Sequence, residues 1–332
     1  MKKLKIAQIG IGHDHALEIL ECLLKHTDIF EFVGLAIPES EKVDFPKRYE
    51  KWKHLNTLTP QEATSYPGLD AIVIETEEVS LTKYTLPAAQ KGLAIHMDKP
   101  GGLELADFEE LIATVKEKGN VLHLGYMYRY NAAVLDAYQK IEAGELGEIY
   151  CVEAHMDCWH KPAKRQWLCR FPGGMLFFLG CHLIDFIYHI QGMPEEVIPL
   201  SMSTGIDGVT GQDMGMAVFK YKNGLSFAKT CDVESGGFMR RQLVICGSKG
   251  TIELHPIERY LPDSHDLVTD VYETYDQAWR AAPVHHISEP QDRYDRMMET
   301  FAAMARGEMT NPYTPDYELE LYKLVLRACG VS

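Results

Sequence analysis

Short apolar segments alternate with amphipathic, helix-length segments over the first part of the chain. The predicted order is strand 4–9, helix 16–25, strand 30–36, strand 70–74, helix 84–91, strand 93–97, helix 103–118 and strand 121–125. The segment Ala71–Ile74 is apolar at every position, which is typical of a parallel strand covered by helices on both faces. The pattern therefore predicts a doubly wound α/β domain with right-handed crossovers.

The pattern changes after residue 126. The predicted order there is helix 132–143, strand 149–157, helix 174–191, strands 214–221, 225–232, 241–246 and 250–254, and helices 291–306 and 316–329. Residues 255–290 show no regular period and are predicted to be irregular. Apolar and polar residues alternate along the later strands, and turn residues separate them, as in a mainly antiparallel sheet. We therefore predict an α/β domain over 1–126 and an α+β domain with an open sheet over 127–332.

Charge and composition exclude several classes of partner. The 332-residue chain has 33 Lys and Arg against 48 Asp and Glu, a formal net charge of −15. Nucleic acids and anionic membranes bind clustered positive charge, so neither is an expected partner. The eight cysteines form no CxxC pair, and no apolar segment approaches the roughly 20 residues of a membrane span. We expect reduced cysteines and a cytoplasmic protein without an export signal.

A glycine-rich turn joins the first predicted strand to the first predicted helix. Gly10 suits a tight turn, and Gly12 would let the backbone approach a pyrophosphate at the helix N-terminus. His15 occupies the position where a third small residue normally allows close packing. The motif alone leaves open both a dinucleotide site and an ordinary glycine-rich turn. The turn comprises Gly10, Ile11, Gly12, His13, Asp14 and His15.

Two further positions fit a nucleotide site. Glu39 is the nearest carboxylate after the second strand and could bind a ribose diol, while no arginine follows directly to bind a 2′-phosphate. NAD is therefore favoured over NADP. Lys99 follows strand 93–97, and Pro100 restricts the backbone beside it. Ligands of open α/β sheets bind at this carboxyl edge.

Taken together, these motifs resemble the Gfo/Idh/MocA family of oxidoreductases. The resemblance rests on the glycine turn, on Asp98-Lys99-Pro100 and on the segment 180–185, Gly-Cys-His-Leu-Ile-Asp. It also includes Gly125-Tyr-Met-Tyr-Arg129 and extends over essentially the whole chain. It implies an N-terminal Rossmann domain and NAD- or NADP-linked oxidation or reduction of sugars, polyols or related acids. It also implies a homo-oligomer, a dimer or tetramer, built on the C-terminal sheet.

Hydride transfer at a secondary alcohol needs a base for the hydroxyl proton and a cation beside the developing alkoxide. We assign these roles to His182 and Lys99, respectively. On a continuous helix, Phe178, His182 and Asp185 would share one stripe, so Asp185 completes the catalytic set. The substrate set comprises Lys99, Tyr126, Arg129, Trp159, Arg165, Trp167, Phe178 and His182. The cofactor set comprises residues 10–15 with Glu39, Thr76, Glu77, Lys99 and Pro100.

Departures from the family pattern leave alternatives open. Phe178 stands where the family dehydrogenases usually carry Asp, so Asp185 and Asp157 take over its role, the substrate is more apolar there, or the chemistry has changed. One alternative function is a lyase or glycosidase that oxidises its substrate transiently. Another is a ligand-binding protein without catalysis. The histidines lack metal-ligand spacing, so no metal is expected; they include His13, His15, His155, His160 and His182.

Overall fold

The computed structural model describes residues 2–331, which form two compact units. The first unit contains the chain up to Met127 together with Tyr294–Tyr322. The second contains Tyr128–Arg293 and the chain from Lys323 onward.

The first unit is built on a six-stranded parallel sheet. Its strands are β1 (Leu4–Ile9), β2 (Phe30–Ala36), β3 (Asn56–Leu58), β4 (Ala71–Ile74), β5 (Ala94–Met97) and β6 (Leu122–Leu124). They lie in the order β3-β2-β1-β4-β5-β6. The helices that precede the second unit are α1 (Ala16–Lys25), α2 (Glu39–Asp44), α3 (Pro46–Trp52), α4 (Pro60–Thr64), α5 (Leu81–Gln90) and α6 (Leu105–Lys118).

This arrangement confirms the predicted doubly wound Rossmann fold. All four residues of β4 are fully buried, as expected for a strand that helices cover on both faces. Strands β1, β4 and β5 are neighbours, so the residues that follow them meet at one edge of the sheet.

The second unit contains an eight-stranded mixed sheet, which confirms the predicted α+β class. Its strands include β7 (Ile149–His155), β8 (Glu196–Pro199), β9 (Met214–Tyr221), β10 (Gly224–Cys231), β11 (Gln242–Gly247) and β12 (Thr251–Leu254). Only the β7–β10 pair is parallel among the strand pairs of this sheet in residues 2–331. The helices are α7 (Ala132–Glu142), α8 (Pro162–Leu168), α9 (Met175–Phe178) and α10 (Cys181–Gln191). Helices α9 and α10 cover one face of β7, β9 and β10.

The single helix predicted over 174–191 is wrong, because the chain forms α9 and α10 with a break at Leu179 and Gly180. A Cβ at position 180 would lie 2.5 Å from the carbonyl oxygen of Leu176. Glycine is also among the weakest helix formers. Phe178 therefore lies on a different helix from His182 and Asp185, and the predicted common stripe does not extend to it.

The prediction that residues 255–290 are irregular is also wrong in part. Two short strands pair there, β13 (Arg259–Tyr260) with β14 (Leu267–Val268). Strands β15 (Asp270–Thr274) and β16 (Val284–Ile287) extend the large sheet beyond β12. All four residues of β16 are exposed, so this edge strand lacks the alternation that would reveal it in the sequence.

The chain then contributes again to the first unit through α11 (Asp295–Ala305) and the first part of α12 (Pro315–Ala328). The Asp295 carboxylate accepts hydrogen bonds from Lys25 Nζ at 2.6 Å and His26 Nε2 at 2.8 Å. The Tyr322 hydroxyl donates to the carbonyl oxygen of Gly102 at 3.0 Å. Within residues 2–331, none of the helices combines the length and the apolar character needed to cross a membrane.

Candidate functional site

The glycine turn packs against the loop that follows β4. Gly10 has φ of +97°, and a Cβ at this position would lie 2.5 Å from the backbone nitrogen of Thr76. A Cβ on Gly12 would lie 2.5 Å from the backbone nitrogen of Glu77. Both positions therefore require glycine, because a Cβ at either one would collide with the backbone of the facing loop. Gly10 requires it also for its positive φ. Thr76 and Glu77, predicted cofactor residues, form the wall opposite the turn.

A carboxylate that the sequence analysis did not identify occupies this turn. Glu41, on α2, is 3% exposed. Its Oε2 accepts a hydrogen bond from the backbone N–H of Ile11 at 2.7 Å, and its Oε1 accepts from Glu77 N–H at 2.9 Å. Burial raises the pKa of Glu41 to about 7 even though these N–H groups favour its ionised form. Glu41 thus binds backbone amides of the turn that a pyrophosphate would approach.

The Arg48 side chain reaches the same turn from α3. Its Nη1 donates to the carbonyl oxygens of Ile11, Gly12 and His13 at 3.0, 2.7 and 2.7 Å. Its Nη2 donates to Asp14 Oδ1 at 2.8 Å. The sequence analysis found no arginine directly after the second strand, but α3 brings one to the turn. This position weakens the sequence argument for NAD over NADP.

A cavity of about 660 Å³ opens at the carboxyl ends of β2 and β3. Glu39, the predicted ribose ligand, lines it together with Ile37 and Thr59. Nucleotides bind at this edge of doubly wound sheets. The cavity and the two glycines therefore fit a dinucleotide, although the Glu41 carboxylate already accepts hydrogen bonds from Ile11 and Glu77 N–H beside the turn.

Lys99 is held at the end of β5 by its neighbours. Its backbone N–H donates to Asp98 Oδ1 at 2.7 Å, and a cis peptide bond joins it to Pro100. Gly125 packs so closely on Asp98 that a Cβ there would lie 2.8 Å from Oδ1. The Lys99 side chain is 1% exposed. Lys99 thus has a fixed position at the edge that also holds the glycine turn.

His182 lies in the second unit, on α10, and is 1% exposed. Its ring meets the edge of the Tyr128 ring at 5.1 Å between centroids. The Tyr128 hydroxyl donates to Glu258 Oε1 at 2.6 Å, and Arg241 and Arg293 also donate to the Glu258 carboxylate. Burial alone would raise the pKa of Glu258, but the two guanidinium groups hold it below its usual range. This buried network fixes the ring against which His182 packs.

Asp185, one turn further along α10, is paired with Arg129. Arg129 Nε and Nη2 donate to the two Asp185 oxygens at 2.9 and 2.8 Å, and both residues are 2% exposed. This two-point geometry fixes both side chains. The structure thus pairs Asp185, a predicted catalytic residue, with Arg129, a predicted substrate ligand, and their opposite charges compensate each other.

We expect Asp185→Asn to lower the free energy of unfolding by about 3–5 kcal/mol, because it removes the negative partner of the buried Arg129 guanidinium. Chemical denaturation measures the change. The double variant Arg129→Met/Asp185→Leu is the control and should lose less than Asp185→Asn, because it removes both charges of the pair together. Equal losses in the two variants would contradict this account.

The remaining predicted substrate residues have different environments. The Trp167 and Phe178 rings meet edge to face at 5.6 Å, and Lys164 Nζ lies 3.8 Å from the Trp167 centroid. Arg165 is 1% exposed and already paired with Asp213 and Asp207. Trp159 is 56% exposed, whereas Tyr126 lies buried in the first unit. The structure thus brings Trp167 and Phe178 together but does not group Arg165 with them.

Comparison with known families now identifies the chain. Residues 4–126 match the family model described as "Oxidoreductase family, NAD-binding Rossmann fold", and residues 134–253 match "GFO/IDH/MocA C-terminal domain". Together these matches cover well over half of the chain. The protein belongs to the Gfo/Idh/MocA family of oxidoreductases.

Individual relatives match only part of the chain. It is 32% identical over 138 residues to scyllo-inositol 2-dehydrogenase (NAD(+)) from Bacillus subtilis (strain 168), covering 41% of this chain and 38% of that protein. It is 25% identical over 139 residues to the NADP(+) enzyme IolW of the same organism, covering 41% of this chain and 39% of the relative. The chain thus spans about two fifths of the length of these relatives. The relatives therefore include one enzyme named for NAD(+) and one named for NADP(+).

Solved structures share the fold over nearly the whole chain. Aldose-aldose oxidoreductase from Caulobacter crescentus superposes with a TM-score of 0.77 over 99% of this chain and 98% of that protein. The sequence identity is 17%, so the likeness concerns the fold.

Proposed function

We propose that the protein transfers a hydride between a nicotinamide cofactor and a small polyhydroxy compound such as a sugar or cyclitol. One observation carries the proposal: the glycine turn, its wall of Thr76 and Glu77, and Lys99 lie at one edge of the parallel sheet. Doubly wound sheets bind dinucleotides at that edge, and family membership supports the same reading.

Lys99 and His182 carry the proposed chemistry. The Lys99 ammonium is the cation that stabilises the alkoxide forming on the substrate. The His182 imidazole accepts the hydroxyl proton, and its contact with Tyr128 fixes the ring orientation. A nicotinamide cofactor, when bound, would supply the hydride chemistry. The Gly10–Gly12 turn would hold the pyrophosphate, and the cavity beside Glu39 would hold the adenosine half.

The substrate proposal rests on the second unit and on relatives. Trp167 and Phe178 present aromatic rings of the kind that stack on sugar faces, with Lys164 beside them. The curated relatives named above act on scyllo-inositol. Inositols and aldoses are therefore the first compounds to test.

We retain NAD over NADP as the cofactor, because Glu39, the predicted ligand of the ribose diol, lines the cavity. NADH is expected to raise the melting temperature more than NADPH at equal concentration, since a ligand that binds only the folded protein stabilises it by RT ln(1 + [L]/Kd). A thermal-shift titration with both cofactors measures this. The Glu39→Gln variant should show a smaller difference between the melting-temperature shifts caused by NADH and NADPH. An unchanged difference in that variant would contradict the assignment of Glu39 to cofactor selection.

The Glu41 contact favours one second candidate, a ligand-binding protein that uses the Rossmann scaffold without catalysis. A carboxylate that fills the turn would serve such a protein as a permanent structural element. No thermal shift with either cofactor would favour this candidate. The homo-oligomer and the cytoplasmic location remain predictions from the sequence.

A further inference from the structure

A cluster of titratable side chains lies buried in the first unit, beside the turn but separate from it. Glu75 follows β4, His96 lies on β5, and Asp98 follows β5; all three are fully buried. In the parallel pairing of β4 with β5, Ile74 lies opposite Met97, so Glu75 lies beside Asp98. Side chains two residues apart on a strand share a face, which places His96 on the same side as Asp98.

Glu75 lacks the partners that a buried carboxylate needs. Neither of its oxygens has a hydrogen-bond donor, and the nearest imidazole nitrogen, His96 Nε2, is 3.4 Å from Oε1 and also has no hydrogen-bond partner. Burial raises the pKa of Glu75 well above its usual range, and the neighbouring Asp98 carboxylate raises it further. The Glu75 carboxylate thus faces the Asp98 carboxylate and the His96 imidazole without accepting a hydrogen bond from either.

His13 brings a second imidazole to the same place. Its Nδ1 is 3.0 Å from Asp98 Oδ2 and 3.9 Å from Glu75 Oε2. The same Nδ1 accepts a hydrogen bond from the backbone N–H of His15 at 3.2 Å, and His15 Nδ1 itself lies 3.0 Å from Asp98 Oδ2. Asp98 therefore already has imidazole partners, whereas neither Glu75 oxygen accepts a hydrogen bond.

We propose that Glu75, His96 and Asp98 bind one divalent transition-metal ion such as Zn²⁺. The donor atoms of these three residues all lie within 4.8 Å of one another. Mixed imidazole and carboxylate donors suit Zn²⁺ and its first-row neighbours, whereas Mg²⁺ prefers oxygen donors alone. A cation there would stabilise the ionised form of the buried Glu75 carboxylate.

The surroundings of His96 fit the role of a metal ligand. Its other ring nitrogen, Nδ1, lies 2.7 Å from His123 Nδ1, and the Phe301 ring packs against both imidazoles at 5.8 and 5.4 Å. A ligating histidine normally has its second nitrogen held in this way, which fixes the ring. The spacing of the histidines along the sequence predicts no metal, because these donors come from separate strand ends and have no local spacing.

Three other groups in residues 2–331 offer a similar donor set. The group of His13, His15 and Asp98 shares Asp98 with the proposed site, and the other two groups serve as controls. One consists of Cys158, His160 and Asp232, and the other of Cys22, His26 and Asp295. His160→Ala and His26→Ala each remove one imidazole from these groups without touching the proposed site.

The test uses the full chain, stripped with a chelator and titrated with Co²⁺ while visible absorption is recorded. Zn²⁺ stoichiometry is measured by mass spectrometry. We expect one ion per chain and no competition by Mg²⁺. Glu75→Gln should weaken Co²⁺ binding by about 100-fold or more, since even partners of metal ligands contribute about 10–100-fold. His160→Ala and His26→Ala should bind as the wild type does.

A folding control accompanies these measurements. Glu75→Gln removes a buried carboxylate, so its metal-free melting temperature should equal or exceed that of the wild type. Zn²⁺ should raise the melting temperature of the wild type and of the two control variants, but not that of Glu75→Gln. If Glu75→Gln does not fold, His96→Gln replaces it. The proposal is overturned if the wild type binds neither ion, if Glu75→Gln binds normally, or if a control variant loses binding; the first result would favour a proton shared by Glu75 and Asp98.

Discussion

Lys99→Met is expected to lower kcat by about 10²–10⁴-fold, the usual contribution of a group that handles charge or protons in the transition state. The thioether keeps much of the length and volume of the lysine but carries no charge. The lysine is 1% exposed, so its ammonium acts in a site with little water, where electrostatic stabilisation is strong. Steady-state NADH formation with an inositol or aldose that the wild type oxidises measures the effect.

The control for this substitution is Lys47→Met, an exposed lysine in the same unit, which should leave kcat unchanged. NADH affinity should be similar in Lys99→Met and the wild type, which separates lost chemistry from lost binding. His182→Asn should lower kcat by a similar factor. Retention of wild-type kcat in Lys99→Met would contradict the proposed role.

Glu41→Ala is expected to tighten NADH binding at pH 8 by about tenfold or more, equivalent to about 1.4 kcal/mol. The wild-type carboxylate accepts hydrogen bonds from Ile11 and Glu77, so a pyrophosphate must displace it and meets its negative charge. Alanine leaves these N–H groups to the cofactor. Fluorescence titration of NADH measures the change.

The pH dependence of NADH binding provides a second measure of the same contact. Glu41 has its pKa raised to about 7, so it is mostly protonated below that pH and ionised above it. NADH affinity of the wild type should therefore fall as the pH rises through 7, and that of Glu41→Ala should not. Glu39→Ala is the matched control on the same helix and should weaken binding, because it removes the proposed ribose ligand. Weaker binding in Glu41→Ala would identify Glu41 as a support for the turn.

The first strands and helix are predictable because their patterns are local and strong. The predicted ranges 4–9, 16–25 and 30–36 coincide with β1, α1 and β2. Helices α2 and α3 are shorter than the roughly 11 residues over which a helical period is recognised, and β3 is shorter than the roughly four residues that strand alternation needs, so none of the three was predicted. The carboxyl ends of parallel strands lie at one edge of the sheet, so the edge that holds Gly10 and Lys99 was predictable.

Contacts between distant residues were not predictable. Glu41 and Arg48 reach the turn across 30 and 37 positions of the chain, and nothing beside them in the sequence distinguishes them from surface residues. Arg129 and Asp185 were both singled out, but for separate roles. Their mutual pairing depends on tertiary packing that a residue pattern does not encode.

Because Tyr294–Tyr322 belongs to the first unit, that unit cannot be completed until late in the synthesis of the chain. A ribosome releases residues in order, and domains usually fold as they emerge. Here Phe301, which packs on His96 and His123, emerges only after the entire second unit up to Arg293. The first unit therefore remains incomplete during most of translation. A gene fragment ending at Met127 would encode only part of the first unit. A fragment that joins Met127 to Tyr294 through a linker and continues to Tyr322 would encode all of it.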